Sequence, residues 1–365
     1  MQKGSSSATT SPHAGHARPS CSPQLPQNNA PGRFSKPHEA HSDIARRGTQ
    51  VSVGRLTAAH VSRPGLAEVL AVWALFGFVA VEVWITYARL PPVELYNVGS
   101  TGVAAGAGRA LVFLNYPTAL VAIALLAVLA ERLRGRAAVL ALLAAILCAV
   151  VVVPGVVEQS DLDPKPVNAV PALGVLLALV LTGTALARGG IGASRPFGGG
   201  WDVARVALAV VLVLGSVPWL TGELGIHADD IPGLGFFMSS EPRPEPGHPD
   251  LLAVHLGHHH GMDGTLLALS ALALSRVVRD VRTRYLGGAF RFYVALMFVY
   301  GLANAVQDFW FEQLVKRGTT SLEIPSMIVP EASWSWAALL ATALLIQLIA
   351  ERVGRFGRPP QEGVP

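Results

Sequence analysis

Long runs of apolar residues alternate with polar segments from residue 67 to residue 351. Most runs contain about 20 residues, the length that an α-helix needs to cross about 30 Å of hydrocarbon. The pattern predicts eight transmembrane helices, at 67–88, 110–130, 137–157, 168–187, 203–223, 251–274, 289–313 and 334–351, of which the last is the shortest. The sequence therefore predicts an all-α fold, a polytopic integral membrane helical bundle.

The composition agrees with this prediction. Of 365 residues, 51% are hydrophobic and only 14% are charged, whereas about 25% of the residues of a typical soluble domain are charged. The lipid bilayer is thus the first expected partner. Cys21 lies in a polar segment and Cys148 in an apolar run, so the two thiols predict neither a disulfide framework nor a thiolate metal site.

Two long segments lack apolar periodicity. Residues 1–60 are rich in Ser, Pro, Gly, Gln and His, a composition typical of disorder, and they are predicted to form a disordered tail. Residues 61–353 form the predicted helical bundle, and residues 354–365 form a short tail. The segment 224–250 joins the fifth and sixth predicted helices, and irregular loops of this length often carry function.

The basic residues predict the orientation of the bundle, because positively charged loops stay on the cytoplasmic side. With the N-terminus inside, 18 arginines fall in segments predicted to be cytoplasmic and 6 basic residues in segments predicted to be external, Arg109 among them. The protein is therefore expected in the cell membrane with both termini in the cytoplasm. The net charge of +4 reflects this bias and does not indicate nucleic-acid binding.

The sixth predicted helix carries the most unusual motif, "VHLGHHHGMDG". His255, His259 and Asp263 follow one another at i, i+4 and i+8, so they form one polar stripe with His258 beside it. His260 points away from this stripe. The opposite face carries small residues that let a neighbouring helix approach closely, namely Gly257, Gly261, Gly264 and Ala268.

Other helices place polar residues at the same depth. The seventh predicted helix has Tyr300, Asn304 and Asp308 along one face, and the first has Glu82 in its outer half. The inner halves of the predicted helices are almost entirely Ala, Leu and Val. We therefore expect one outward-open cavity, whose lining residues are His255, His259, Asp263, Asp308 and Glu82.

Prolines and further acids surround this region. Kinks in four predicted helices could open the cavity, at Pro117, Pro154, Pro171 and Pro218. Three other carboxylates lie nearer the helix ends and are expected to face water, namely Glu158, Glu223 and Glu312.

Imidazole and carboxylate groups together favour a divalent metal, with Zn²⁺ the first expectation. The candidate metal ligands are His255, His258 and His259. A single ion is expected to take His255 and His259 and to draw its remaining ligands from another helix, because adjacent histidines diverge by about 100° around a helix. The candidate catalytic residues are Asp263, Asp308 and Glu82.

Three functions fit these residues. The first is a membrane-embedded, metal-dependent enzyme, a hydrolase or transferase that acts on a lipid or small amphipathic substrate from the outer side. The second is a proton- or cation-coupled transporter or channel that uses Glu82, His259, Asp263 and Asp308. The third is a membrane assembly partner. The apolar inner halves of the predicted helices favour a one-sided site over a continuous path.

The run His255-Leu-Gly-His258-His259 resembles the HxxHH box of the membrane desaturase and hydroxylase families. The di-iron sites of those families take histidines from several such boxes, which face the cytoplasm. This chain has one box of five residues, on the side predicted to be external. The resemblance therefore does not extend to iron or oxygen chemistry.

Overall fold

The computed structural model is a helical membrane protein. It describes residues 66–89, 99–158, 161, 163–189, 196–223, 259–325, 327, 330 and 332–356. Throughout these residues the regular secondary structure is helical, and none of them belongs to a β-strand. Five of the helices are long and apolar enough to cross a membrane. The predicted all-α membrane fold is confirmed in this form, and the count of eight spans is not.

The described residues form nine α-helices. They are α1 (Ala67–Arg89), α2 (Gly102–Asn115), α3 (Pro117–Ala130), α4 (Arg136–Ala149), α5 (Ala169–Gly189), α6 (Gly200–Glu223), α7 (His259–Leu274), α8 (Arg284–Trp310) and α9 (Trp334–Phe356). A π-helical turn, Phe311–Val315, continues α8. The five candidate spans lie in α1, α5, α6, α8 and α9.

The predicted helix at 110–130 is two helices. The axes of α2 and α3 are bent by 45° at the junction of Tyr116 and Pro117, where a proline inside a continuous helix would clash with the preceding turn. Because α2 already begins at Gly102, Arg109 lies within a helix and is 4% exposed. Its prediction as a residue of an external segment is therefore wrong.

Two of the other prolines, Pro154 and Pro171, do not act as predicted. Helix α4 ends at Ala149, so Pro154 follows the helix, and Pro171 lies in the first turn of α5, where proline is tolerated. Neither bends a helix. The last predicted span is also not the shortest, because α9 has 23 residues whereas α4 has 14.

Helix α3 occupies the centre of the bundle. Its sequence, PTALVAIALLAVLA, is apolar around its whole circumference, and most of its residues are buried. A helix with this pattern is typical of a core position. It packs against α4, α5, α7 and α8. By contrast, only 11% of the residues in the spanning windows of α6 and α9 are buried, so these two helices present their apolar side chains to lipid.

Helices α7 and α8 cross at two glycines. A Cβ atom added to Gly264 would lie 2.5 Å from the carbonyl oxygen of Gly301 and 2.7 Å from the backbone nitrogen of Ala305. A Cβ atom added to Gly301 would lie 2.7 Å from the backbone nitrogen of Ala268. The predicted close packing on the small-residue face of the histidine helix is thus confirmed for Gly264 and Ala268.

A cluster of charges joins three helices at one end of the bundle. Arg276, just after α7, lies 3.0 Å from Glu68 of α1 and 2.7 Å from Asp202 of α6. Arg205 of α6 lies 2.9 Å from Asp202 and donates a hydrogen bond to Ser275. We call these residues the inner cluster, because they lie at the end that the arginine distribution predicts to be cytoplasmic.

Candidate functional site

The polar face predicted on α8 lies inside the protein. Asp308 is fully buried, Asn304 is 3% exposed and Tyr300 is 5% exposed. The three residues follow one another at intervals of four, so they occupy one side of the helix. Gln307 is also buried. The prediction that Asp308 does not face lipid is confirmed.

The outer end of α8 is buried as well, which corrects one prediction. Glu312 was expected to face water, yet it is 1% exposed. It lies in the π-helical turn, where its Oε1 is 3.3 Å from the ammonium group of Lys316. Glu312 follows Asp308 at the same interval of four residues, so it lies on the same side of the helix, and the row of polar groups extends one turn beyond Asp308.

Several oxygen atoms of this face have no hydrogen-bond partner among the described residues. They include Oδ1 of Asn304 and Oε1 of Gln307, whereas the amide nitrogen of Asn304 donates to the carbonyl oxygen of Tyr300 at 2.9 Å. Leaving a buried acceptor unpaired costs about 1–3 kcal/mol. The α8 face therefore offers acceptor oxygens to a ligand that carries positive charge or donor groups.

A pair of tyrosine hydroxyls lies beside the α8 face. The hydroxyls of Tyr116 and Tyr300 form a hydrogen bond, which joins α8 to the break between α2 and α3. Asp263 of α7 is partly buried and comes one residue before Gly264, where α7 crosses α8.

Sequence reasoning missed the part that Tyr116 plays. Tyr116 falls at the break between α2 and α3, and Tyr293 of α8 donates a hydrogen bond to the carbonyl oxygen of Leu120 at 2.8 Å. Tyr116 lies in a largely apolar run, so its hydroxyl forms no polar pattern in the sequence. The proline after Tyr116 was the available signal, since a break exposes backbone and side-chain polar groups to the bundle interior.

Glu82 lies inside the bundle on α1. It is 7% exposed, its Oε1 accepts a hydrogen bond from Thr86 at 3.1 Å, and its Oε2 has no hydrogen-bond partner among the described residues. Burial of a carboxylate with one unpaired oxygen is costly unless a proton or a cation compensates its charge. Glu82 therefore remains a candidate site residue.

The inner cluster fixes the level of Glu82 relative to α7. Glu82 is 14 residues beyond Glu68, and Met262 is 14 residues before Arg276, which pairs with Glu68. Fourteen helical residues span about 21 Å in about four whole turns. Glu82 is thus on the same face of α1 as Glu68 and at about the level of Met262 and Asp263.

Asp308 is level with the start of α7. The two helices run antiparallel from their crossing at Gly264 and Gly301, and Asp308 lies seven residues beyond Gly301. The corresponding level on α7 is its first turn, which begins at His259. The backbone register therefore brings the carboxylate-bearing turn of α8 beside the start of the histidine helix.

The predicted histidine ligands fall largely outside the described residues. This holds for His255 and His258, and for the side chain of His259, whose backbone forms the first residue of α7. Within the part of the chain that the structure describes, no group of three or more His, Cys, Asp or Glu side chains lies close enough together to hold a metal ion.

The carboxylate predicted to face water between α4 and α5 does so. Glu158 has a side chain 45% exposed, and it pairs with Lys165 at 2.6 Å, as does Asp161 at 3.3 Å. The hydrogen bond to Glu158, and then the interactions with Asp161, raise the pKa of Lys165 above its usual value. This exposed triad, formed by Glu158, Asp161 and Lys165, differs from the polar groups of α1, α7 and α8 because its side chains reach the surface. The side chain of Glu223 lies outside the described residues.

Comparisons with models of protein families, with curated proteins and with solved structures find no match to this chain.

Proposed function

We propose that this membrane protein binds a divalent cation, Zn²⁺ first, in the outer half of its bundle between α1 and α7. The observation that supports this most is Glu82 of α1, a buried carboxylate at about the level of Asp263, with one oxygen that has no hydrogen-bond partner among the described residues. The sequence supplies His255 and His259 on the face of α7 opposite its crossing with α8, at the i and i+4 spacing that presents two imidazoles to one ion.

The chemistry of the described residues favours a cation over an anion. Carboxylates and amide oxygens only accept hydrogen bonds, and the region holds Glu82, Asp263, Asn304, Gln307 and Asp308, all partly or fully buried. Two imidazoles with one carboxylate form a ligand set typical of catalytic zinc, with a fourth position for water or substrate. His258 would then lie outside the direct ligand set.

A cation bound at this position would supply the catalytic chemistry of a membrane-embedded enzyme. Zinc lowers the pKa of a bound water to about 7 and polarises a phosphoryl or carbonyl oxygen. Asp263, Asp308 and Glu82 are the acid and base candidates, with Glu82 also available as a ligand. The substrate class that we propose is a lipid or small amphipathic molecule that enters from the outer side.

Metal analysis of the detergent-purified protein tests this proposal. The wild type is expected to retain about one equivalent of zinc, and both the His255→Ala/His259→Ala variant and Glu82→Gln are expected to lose it. Glu158→Gln removes an exposed carboxylate of the α4–α5 loop and serves as the matched control, with zinc content unchanged. A wild type that holds no more Zn, Fe, Mn or Cu than the histidine variant overturns the proposal.

A second function, proton- or cation-coupled transport, is favoured by one observation. The break between α2 and α3 places the hydroxyl of Tyr116 against that of Tyr300, and Tyr293 adds a partly buried hydroxyl two turns further along α8 towards the inner end. Broken helices with polar interiors are typical of transporters. Cation-dependent proton uptake into proteoliposomes, lost in Glu82→Gln and kept in Glu158→Gln, would support transport, and its absence in the wild type would exclude it.

A further inference from the structure

Helix α2 carries a cationic side chain into the interior of the bundle. Arg109 is 4% exposed, and it is the most deeply buried of the lysines and arginines that the structure describes. The carbon atom of its guanidinium group lies 5.5 Å from the centre of the Tyr87 ring of α1. A contact of this length is an electrostatic attraction, which leaves the five N–H donors of the guanidinium without an oxygen acceptor.

The chain itself supplies no counter-ion for Arg109 within the part that the structure describes. Its Nε has no hydrogen-bond partner there, and no described carboxylate forms an ion pair with it. A buried charge without a partner is strongly unfavourable, and more so in a membrane protein. The position therefore suits an anion that comes from outside the chain.

The packing of α1 against α2 sets the level of Arg109. A Cβ atom added to Gly106 would meet the carbonyl oxygen of Trp84, and the rings of Phe113 and Phe76 lie 6.2 Å apart. Higher numbers on α2 thus pair with lower numbers on α1, so the two helices are antiparallel. Arg109, three residues after Gly106, lies about one turn further from the outer end of α1 than the Trp84 crossing or less.

This level is that of Glu82. A buried carboxylate and a buried guanidinium therefore lie at similar depth on neighbouring helices, yet no ion pair joins Glu82 to Arg109 among the described contacts. Each group retains the need for a partner of opposite charge. A cation beside Glu82 and an oxyanion beside Arg109 would satisfy both.

The outer loop above Arg109 adds no second positive charge. Gly108 lies against Pro164 of the α4–α5 loop, where an added Cβ atom would be 2.9 Å from Cδ of Pro164. The ammonium group of Lys165 in that loop is already paired with two carboxylates. One guanidinium balances one negative charge, which is the charge of a phosphodiester, and its planar fork donates two hydrogen bonds to two phosphate oxygens.

We propose that Arg109 binds the phosphodiester group of an amphipathic molecule that enters from the outer side, while the Tyr87 ring holds the guanidinium in place. As an assignment of the substrate class, this inference rests on the proposed function, in which a cation polarises a phosphoryl oxygen. The binding of the phosphate group itself needs no metal.

Thermal unfolding of the delipidated full chain, in detergent with a metal chelator, tests whether Arg109 lacks a partner. Arg109→Met removes the charge and keeps an unbranched side chain, so its Tm without phosphate should exceed that of the wild type. Added dioleoylphosphatidylglycerol or inorganic phosphate should raise the Tm of the wild type and not that of Arg109→Met. A lower Tm of Arg109→Met without phosphate would show that the protein already compensates this charge, and it would overturn the inference.

Calorimetric titration with the same two probes measures the affinity and identifies the source of the phosphate. Arg109→Met and Arg109→Lys are each expected to weaken binding at least tenfold, because lysine keeps the charge but not the planar fork. Arg134→Met is the control with wild-type affinity, since Arg134 is exposed between α3 and α4. Weaker binding of the lipid assigns a lipid source, and weaker binding of inorganic phosphate alone assigns a soluble one.

Wild-type affinity of both Arg109 variants for both probes overturns the anion site. The chelator removes zinc from these measurements, so their outcome is independent of the metal analysis. A wild type without zinc overturns the cation site, whereas a wild type without Arg109-dependent phosphate binding overturns only this inference.

Discussion

The crossing of α7 and α8 gives a quantitative prediction for Gly264→Ala. The new Cβ atom would lie 2.5 Å from the carbonyl oxygen of Gly301, 2.7 Å from the nitrogen of Ala305 and 2.9 Å from the Cβ atom of Asn304. Two of these atoms belong to the backbone and cannot rotate away. The helices must therefore separate by about 0.5 Å or more, at the expense of the close packing around the crossing.

The expected loss of stability follows from two opposing effects. Overpacking of this kind costs about 1–3 kcal/mol, and replacing glycine by alanine within a helix returns about 0.5–1 kcal/mol. The net destabilisation is about 1–2 kcal/mol, which is a factor of about 5–30 in the unfolding equilibrium. Packing is a main source of helix association in a bilayer, so little else compensates for the separation.

Equilibrium unfolding in mixed micelles of dodecyl sulfate and a mild detergent measures this effect. The midpoint for Gly264→Ala should fall below that of the wild type. Gly215→Ala in α6 is the matched control, because a Cβ atom there meets nothing within 4 Å, and it should unfold at the wild-type midpoint or later. If Gly264→Ala is as stable as Gly215→Ala, the close crossing does not exist in the membrane protein.

Two further predictions concern the inner cluster and the orientation. Arg276→Gln removes the guanidinium that pairs with both Glu68 and Asp202, although Arg205 stays beside Asp202, and should destabilise the protein by about 3 kcal/mol. Lys165→Gln, in the exposed loop triad, should change the free energy of unfolding by less than about 1 kcal/mol. Equal losses of stability in the two variants would contradict this. The arginine distribution predicts that residue 240 is outside and residue 194 inside. In a background without native cysteines, a membrane-impermeant thiol reagent should therefore modify Ser240→Cys and not Ser194→Cys. The reverse labelling would invert the orientation and every depth assigned from it.

The histidine helix shows how far a local pattern reaches. The spacing of Gly264 and Ala268 sufficed to predict a face that packs closely against another helix, because side-chain direction on a helix depends only on spacing. The identity of the partner did not follow from that spacing. Only the tertiary structure shows that the partner is α8, whose Gly301 packs against Gly264.

Depth along a helix was predictable, whereas exposure at its end was not. Asp308 was expected inside the bundle and is buried, but Glu312, one turn further out, was expected in water and is equally buried. The interval of four residues puts Glu312 on the side of the helix that carries Asp308. Its burial could not be predicted, because it depends on which segments pack around the helix end and on the ion pair with Lys316.

The sequence alone sufficed to predict a helical membrane protein and the positions of its apolar runs, although it did not predict which runs are broken or short. It also predicted which side of a helix carries polar groups. These features follow from composition and spacing along one chain. Only the tertiary structure decided that Pro117 divides one run into α2 and α3, that Tyr116 reaches Tyr300, and that the pairing of Glu68 with Arg276 sets Glu82 level with α7. Those relations depend on contacts between residues far apart in sequence, and such contacts are set by how whole helices pack against one another.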